Sequence, residues 1–273
     1  MKPLYIYFLA ASLACTSCSD SWLDLNPSTS VPTDQAFSSL EDAQSALNGI
    51  YRLASAHSYY GDNFFYFGDC RAADVQARMT KGDGRRVSPY YEYNVKATDS
   101  FNSSLPWNQV YKVIRQTNNL IAATESGLIK TTDEAALNEI KAQALAMRGL
   151  ALYDLIRVFA MPYSYDNGQS LGVPIVTTAT DQSSKPARNT VAECYDQIIT
   201  DLTNSLAGLS KEKRDGCLNY WAVQGILSRV YLNKLDYPNA YKAATDIIEN
   251  SKSLYQLYTC LLYTSDAADE LDG

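Results

Sequence analysis

The stretch between Gly127 and Pro162 constrains the fold more than any other part of the sequence. Its apolar residues recur every three or four positions, which is the period of one face of an α-helix. Residues 131–134 can cap the start of this helix, and Pro162 marks its end because proline cannot continue a helix. The apolar positions are Leu137, Ile140, Ala144, Met147, Ala151, Leu155 and Phe159. The sequence therefore predicts a helix of roughly 25 residues here.

Three other segments show the same helical period. Ser38-Ser-Leu-Glu41 has the spacing of a capping box, and apolar residues follow it at helical intervals. A second helix is predicted to begin near Trp107, and Thr190-Val-Ala-Glu193 opens a third. Residues 172–176 are predicted to form only a short extended piece. The sequence therefore predicts an all-α fold.

Residues 218–234 and 237–250 predict a pair of helices of the tetratricopeptide kind. Trp221, Gly225 and Tyr231 place large and small side chains along the first of them, and small residues let neighbouring helices approach closely. The spacing is irregular, so the pattern indicates repeats without proving them.

Residues 57–104 interrupt this helical pattern. They contain several glycines and many aromatic residues but no sustained helical period. A loop-rich insertion of this length is uncommon in a compact domain and is often functional. We interpret Phe64 to Phe67 as core and Trp107, which begins a periodic helix face, as structural.

The composition excludes several classes of function. The net charge of −7 and the pI near 4.8 argue against nucleic acid as a partner, because phosphates require clustered cations. The chain has one histidine, His57, and neither an HExxH nor a GxSxG motif. Cys70, Cys194, Cys217 and Cys260 are widely scattered, which indicates neither a zinc site nor a disulfide framework. We predict no metal, no cofactor and no catalytic residue, and we expect Cys194 to be buried on a helix face.

The N-terminus reads as an export signal. Lys2 is followed by an apolar run of about 11 residues, which is too short to span a membrane as a helix. The segment resembles a bacterial lipoprotein signal, with residues 1–17 removed and Cys18 lipidated. Cys15 is the fallback, and an ordinary cleaved signal with incidental cysteines is the alternative. Residues 18–35 then form a tether rich in Ser, Pro, Asn and Asp.

Several motifs match one known family in the same order along the chain. Trp107-Asn-Gln-Val-Tyr111, with Ile114 and Asn118, matches its W-x3-Y…I-x3-N pattern. The other matching segments are residues 18–27, 36–51, 146–162, 172–175 and 188–202. On these residues the chain resembles the SusD/RagB family of outer-membrane nutrient-binding lipoproteins from Bacteroidetes.

The resemblance implies an α-α superhelix with tetratricopeptide-like units that support a carbohydrate-binding face. It implies a lipid-anchored outer-membrane protein that faces the cell surface and captures oligosaccharides without catalysis. The implied partner is a TonB-dependent transporter of the SusC type. The family-like helical domain would span residues 36–258 and be incomplete, because family members are considerably longer than this chain.

The insertion is the expected place for the groups that bind a glycan. Asp74 and Arg78 are candidate hydrogen-bonding anchors, and Tyr90, Tyr91 and Tyr93 are candidate platforms for sugar rings. The alternative is that these tyrosines line the supporting helices or the transporter contact. Arg148 lies within a helix face, and we expect it to be an internal ion-pair partner.

The last residues do not continue the family pattern. Residues 259–273 resemble a translated sequencing-adapter artefact, and an acidic disordered tail is the alternative.

Two other functions stay open from the sequence. One is a tetratricopeptide-like protein-interaction scaffold on the outer membrane. The other is a helical glycosidase, which needs two facing carboxylates. Thirty acidic residues guarantee chance pairs of carboxylates without marking any of them.

Overall fold

The computed structural model describes residues 37–72, 88–94, 96, 105–178, 184–251 and 254–255. This part of the chain is helical and contains no β-strand beyond two isolated bridges, Ser39–Lys130 and Leu171–Thr190. The helices are α1 (Leu40–Ala54), α2 (Asn63–Asp69), α3 (Ser88–Tyr91), α4 (Leu105–Glu125), α5 (Glu134–Phe159), α6 (Val191–Leu206), α7 (Tyr220–Asn233) and α8 (Tyr237–Asn250). A π-helical turn (His57–Gly61) precedes α2, and a 3₁₀ turn (Tyr163–Tyr165) follows α5. The all-α prediction is confirmed.

Helix α5 is the central element. The Asp133 side chain caps it by accepting a 2.9 Å hydrogen bond from the Ala136 amide, and the helix ends at Phe159, before Pro162. Nearly every residue from 142 to 156 is buried, because α4 packs on one side of the helix and α6 on another. A helix that is buried nearly all round is typical of a protein core.

The caps of α1 and α6 show how closely the sequence locates helix starts. Thr190 and Glu193 form a capping box at the predicted start of α6. The box of α1 lies one residue later than predicted. Ser39 accepts from the Asp42 amide, and the Asp42 carboxylate accepts from the Ser39 amide.

Helices α7 and α8 form the predicted pair and pack against each other. Asn219 and Asp236 cap their starts through side-chain hydrogen bonds to backbone amides. The helices approach closely at Gly225, where a Cβ atom would lie 3.7 Å from Cδ1 of Ile247. A small residue at this crossing therefore allows tetratricopeptide-like packing.

A buried ion pair joins α4, α5 and α6. Nε and Nη2 of Arg148 donate to the two carboxylate oxygens of Asp201 at 2.8 and 2.7 Å, and Nη1 donates to Oδ1 of Asn118 at 2.9 Å. The Asn118 amide group in turn donates to the carbonyl oxygens of Val176 and Thr178. The internal role predicted for Arg148 is confirmed, and Arg148 binds together three helices and the connection before α6.

Tyr51 connects α1 to two distant parts of the chain. Its hydroxyl donates to Oε1 of the buried Gln143 on α5 at 2.8 Å and accepts from the Leu218 amide at 2.9 Å. Burial raises the pKa of this hydroxyl well above its usual range, so it stays neutral.

The insertion is more helical than its sequence predicts. Residues 63–69 and 88–91 form short helices. Residues 57–61 form a single π-type turn, closed by a 2.9 Å hydrogen bond from the Gly61 amide to the Ala56 carbonyl oxygen and kinked at Tyr59. The aromatic run is only partly core, since Phe65 is 49% exposed while Phe64 and Phe67 are half-buried. Cys194 is fully buried, as expected, and Trp107 packs against the core, with its ring 5.0 Å from that of Phe159. No helix among the described residues is both long and apolar enough to cross a membrane.

Candidate functional site

A group of aromatic rings, partly buried and partly exposed, lies near the C-terminal end of α5. This aromatic cluster comprises Tyr59, Tyr60, Phe64 and Phe65, whose rings contact one another. Tyr59 and Tyr60 stack with their centroids 4.2 Å apart, and Phe64 meets both edge-on at 5.7 and 5.5 Å. Aromatic residues have modest helix propensity, so packing between rings rather than local preference holds these turns.

The aromatic cluster is fastened to α5 by a buried carboxylate. Oδ2 of Asp154 accepts the Tyr59 hydroxyl at 2.5 Å and also the Tyr60 hydroxyl, while Oδ1 accepts from Nη2 of Arg157. The pKa values of both tyrosines are raised well above their usual range, mainly because the hydroxyls are buried and secondly because the charge of Asp154 lies beside them. Both phenols therefore remain donors to the carboxylate at physiological pH.

Arg157 is held rigidly beside this carboxylate. Its guanidinium carbon lies 4.7 Å from the ring centroid of Tyr153 and 5.2 Å from that of Phe64. Burial lowers its pKa, but Asp154 and the neighbouring hydroxyls more than offset this, so the net pKa is raised. Arg157 is therefore a fixed, permanently charged group.

A cleft opens between the aromatic cluster and the ends of α5 and α7, with Arg157 in its wall. Its volume of about 480 Å³ lies within the roughly 300–1,000 Å³ typical of small-molecule sites. The residues that give it chemical character are Phe64, Phe67, Arg157, Tyr163, Tyr195 and Asn233. We call it the Arg157 cleft. Apolar rings with a few polar groups can hold the C–H faces and hydroxyls of a sugar.

The predicted platform tyrosines lie beside this cleft rather than in it. Tyr93 is 68% exposed with a left-handed backbone (φ 54°), and its hydroxyl donates to the Arg71 carbonyl oxygen. Tyr91 is 36% exposed. Tyr90, however, is only 2% exposed, and its ring meets that of Phe67 edge-on at 5.6 Å. Contrary to the prediction, Tyr90 packs in the interior and presents no face to a ligand.

The other predicted site residues lie outside the described residues. Asp74 and Arg78 fall in a gap of the described ranges, and the signal with Cys15, the tether with Cys18 and residues 259–273 lie before or after those ranges. Their assignments therefore remain predictions. Within the described ranges, no group of three or more His, Cys, Asp or Glu residues is placed to hold a metal ion.

Sequence reasoning missed the residues that build the Arg157 cleft. They come from positions 64–68, 156–164, 191–195 and 232–235, which only the tertiary fold brings together. One local signal was available. Asp154 and Arg157 stand three residues apart on a helix predicted to be buried, and charges in such a place require partners.

A second, smaller cleft lies along α4. Trp107, Tyr111 and Arg115 line it together with Pro174 and Pro186, and its volume is about 350 Å³. Tyr111 uses its hydroxyl to donate to the Pro174 carbonyl oxygen at 2.8 Å. Of these two clefts, the Arg157 cleft is the better candidate site, because it has the larger volume and its guanidinium is held between two aromatic rings.

Comparison with known proteins identifies the fold. A family model described as "SusD-like_3: Starch-binding associating with outer membrane" matches residues 21–232. A SusD-like protein of Bacteroides ovatus is 26% identical over 92% of this chain and 45% of its own length. A SusD-like protein of Formosa agariphila is 30% identical over 92% of this chain and 47% of its own length.

A solved structure shows the same architecture. The crystal structure of a SusD superfamily protein from Bacteroides thetaiotaomicron is 63% identical, covers 82% of this chain and 49% of its own, and superimposes with a TM-score of 0.79. The chain thus spans about half the length of the proteins that it matches. Since the family model covers most of its residues, the chain belongs to the SusD-like family, described as starch-binding and associated with the outer membrane.

Proposed function

We propose that this chain is a non-catalytic, glycan-binding surface lipoprotein that captures oligosaccharides for a TonB-dependent outer-membrane transporter of the SusC type. The observation that carries the proposal is the Arg157 cleft, with aromatic walls and a fixed polar anchor. The family description supports the carbohydrate ligand and the outer membrane. Membership of the family supports the transporter partnership.

The geometry of the cleft fits a sugar ligand. The rings of Phe64, Phe67 and Tyr163 can pack against the C–H faces of sugar rings, while Arg157 and Asn233 can hydrogen-bond to hydroxyls. The exposed rings of Tyr91 and Tyr93 extend this surface beyond the cleft. Asp74 and Arg78 are proposed as further hydrogen-bonding anchors for the glycan.

Calorimetry with defined oligosaccharides tests this binding. We expect the 273-residue chain to bind at least one member of a panel of starch, mannan and host-glycan oligosaccharides. Replacing Phe64 and Phe67 together with alanine is expected to weaken that binding about tenfold or more, because each ring contact contributes roughly 1 kcal/mol. The control is Tyr241→Ala, since Tyr241 is 74% exposed on α8 and away from the cleft. Absence of binding by the unmodified chain across the panel would refute the proposal.

The anchor is tested through its cysteines. We expect Cys18→Ser to abolish acylation and to release the protein from the outer-membrane fraction, because several acyl chains are needed for permanent attachment. Cys15→Ser is the matched control and should leave acylation unchanged. The reverse result would assign the anchor to Cys15, and unchanged fractionation of both variants would contradict lipidation.

No catalytic role is proposed for the cleft. Glycoside hydrolysis requires two carboxylates that flank the bond, whereas none of the described residues that line the cleft is Asp or Glu. We expect no release of reducing sugar when the purified chain is incubated with any oligosaccharide that it binds. Measurable release would revive the glycosidase alternative.

The second candidate function is a protein-interaction scaffold. The α7–α8 pair favours it, because α8 exposes Tyr237, Tyr241 and Ile248 along one helix face, and adjoining apolar groups on a surface mark interaction sites. Co-purification with a β-barrel transporter discriminates the two. If the Phe64/Phe67 variant retains the complex but loses sugar, the cleft is a glycan site. If Tyr241→Ala on α8 loses the complex and keeps sugar, the scaffold is favoured.

A further inference from the structure

We infer that the Arg157 cleft is selective for anionic glycans, meaning sugars that carry a carboxylate or a sulfate group. This inference rests on the proposed function, because it names the ligand class of the same cleft. It depends on three features: the exposed guanidinium, its unused donors, and the charges of the cleft wall.

The arginine faces the cleft, whereas its carboxylate partner does not. The Arg157 side chain is 34% exposed, and the Asp154 side chain is fully buried behind it. Two aromatic rings fix the guanidinium, so little conformational freedom would be lost when a ligand binds. A ligand in the cleft would therefore contact the fixed guanidinium of Arg157 and not the carboxylate of Asp154.

The hydrogen-bonding capacity of Arg157 is only partly used. A guanidinium has five N–H donors. Nη2 donates to Asp154, and within the described part of the chain Nε and Nη1 donate to no acceptor. The Asp154 carboxylate is also satisfied by the hydroxyls of Tyr59 and Tyr60, so Arg157 is not its only partner. The remaining donors suit a carboxylate or sulfate, which guanidinium groups bind through charge-assisted hydrogen bonds.

The charges of the cleft wall also favour an anion. Arg157 is the one charged residue among the described residues that line the cleft, in a chain of net charge −7. A second cation stands at the rim, because the guanidinium of Arg71 lies 4.8 Å from the Phe67 ring centroid. The groove between α7 and α8 differs, since it includes Asp246 and Glu249. Of these two surfaces, only the cleft lacks acidic groups that would repel an anionic ligand.

Matched pairs of oligosaccharides test the inference by calorimetry. The first pair is tetragalacturonate and its fully methyl-esterified form, which differ in charge but share the same sugar rings. The second pair is a sulfated carrageenan oligosaccharide and its desulfated form. We expect the charged member of at least one pair to bind about 10- to 100-fold more tightly at low salt, since one hydrogen bond to a charged group contributes roughly 1.5–3 kcal/mol. Raising the salt concentration should reduce the difference.

Variants assign the preference to the arginine. Arg157→Gln alone would leave the Asp154 carboxylate buried without its cation, which can destabilise the fold. The test variant is therefore Arg157→Gln with Asp154→Asn, with folding checked by circular dichroism. Arg71→Gln at the exposed rim gives a second, structurally milder variant. We expect the first to abolish the preference for the charged sugar and the second to reduce it.

The outcomes distinguish failure of the anionic preference from failure of glycan binding itself. A preference in the uronate pair, the sulfate pair or both, if lost in the double variant, supports the inference and identifies the anionic group. Equal binding of both members in each pair overturns the anionic preference but leaves glycan binding intact. A preference that survives in the double variant overturns the role of Arg157. Failure of every charged and neutral oligosaccharide to bind overturns the proposed function itself.

Discussion

Replacing Asp201 with alanine is expected to destabilise the protein by about 3–5 kcal/mol, because it leaves a buried guanidinium without its counter-charge. The Asp201 side chain is 2% exposed and that of Arg148 is 9% exposed, so water reaches neither well. The substitution removes two hydrogen bonds from Arg148 and one of 2.9 Å from Gln197. For a chain of this size, 1 kcal/mol corresponds to roughly 2–4 °C in Tm, so the expected decrease is about 6–20 °C.

Helix α6 offers a matched control for this experiment. Asp196 also forms an ion pair, with Nζ of Lys234 at 2.6 Å, but its side chain is 68% exposed. Asp196→Ala is expected to cost no more than about 1 kcal/mol, because water screens exposed pairs. Differential scanning calorimetry compares the two variants. Equal Tm values would refute the argument that burial makes the Arg148–Asp201 pair indispensable.

Two further predictions concern the helices around this pair. Gly149→Ala should lower the Tm, because the new Cβ would lie 2.9 Å from Cγ of Leu202. Gly225→Ala should be tolerated or should stabilise the fold by up to about 1 kcal/mol, since the nearest neighbour of its Cβ would be Cδ1 of Ile247 at 3.7 Å. Equal Tm changes in the two variants would contradict this packing. Hydrogen bonds from Thr190 lower the pKa of Glu193 below its usual 4.5. The ionised carboxylate therefore stabilises the fold above pH 4.5, and this contribution is lost as the pH falls through the pKa of Glu193 in the folded protein. The Tm difference between the wild type and Glu193→Gln should therefore shrink as the pH falls below about 4.5, and a difference constant from pH 7 to 3 would contradict the cap.

The helices that could be predicted from sequence are those in which apolar residues recur at helical spacing along the face that is buried. α5, α6 and the α7–α8 pair are of this kind. The start of α1 was misplaced because Ser38 with Glu41 and Ser39 with Asp42 offer the same spacing, so local sequence cannot choose between them. In the structure, Asp42 accepts hydrogen bonds from both serines, which fixes the later register.

The turns of the aromatic segment could not be predicted in this way. Tyr59 and Tyr60 reach an aspartate more than 90 residues away, and no local pattern records that contact. Tertiary contacts of this kind override weak helix propensity. The same reason hid the Arg157 cleft, whose walls come from four distant parts of the chain. The buried ion pair of Arg148 was easier to predict, because a charge on an apolar helix face needs a partner.

The hydroxyl of Tyr51 has a consequence for the order of folding during synthesis. α1 is among the first helices to leave the ribosome. The Leu218 amide, which donates a hydrogen bond to the Tyr51 hydroxyl on α1, lies 167 residues later in the chain. At a translation rate of about 5–20 residues per second, roughly ten to thirty seconds pass between the synthesis of Tyr51 and that of Leu218. Meanwhile α1 can pack on α4 and α5 but cannot complete its contacts, since non-local pairing waits for the later segment. A nascent chain halted near residue 210 should therefore show weaker hydrogen-exchange protection in α1 than one released after residue 250.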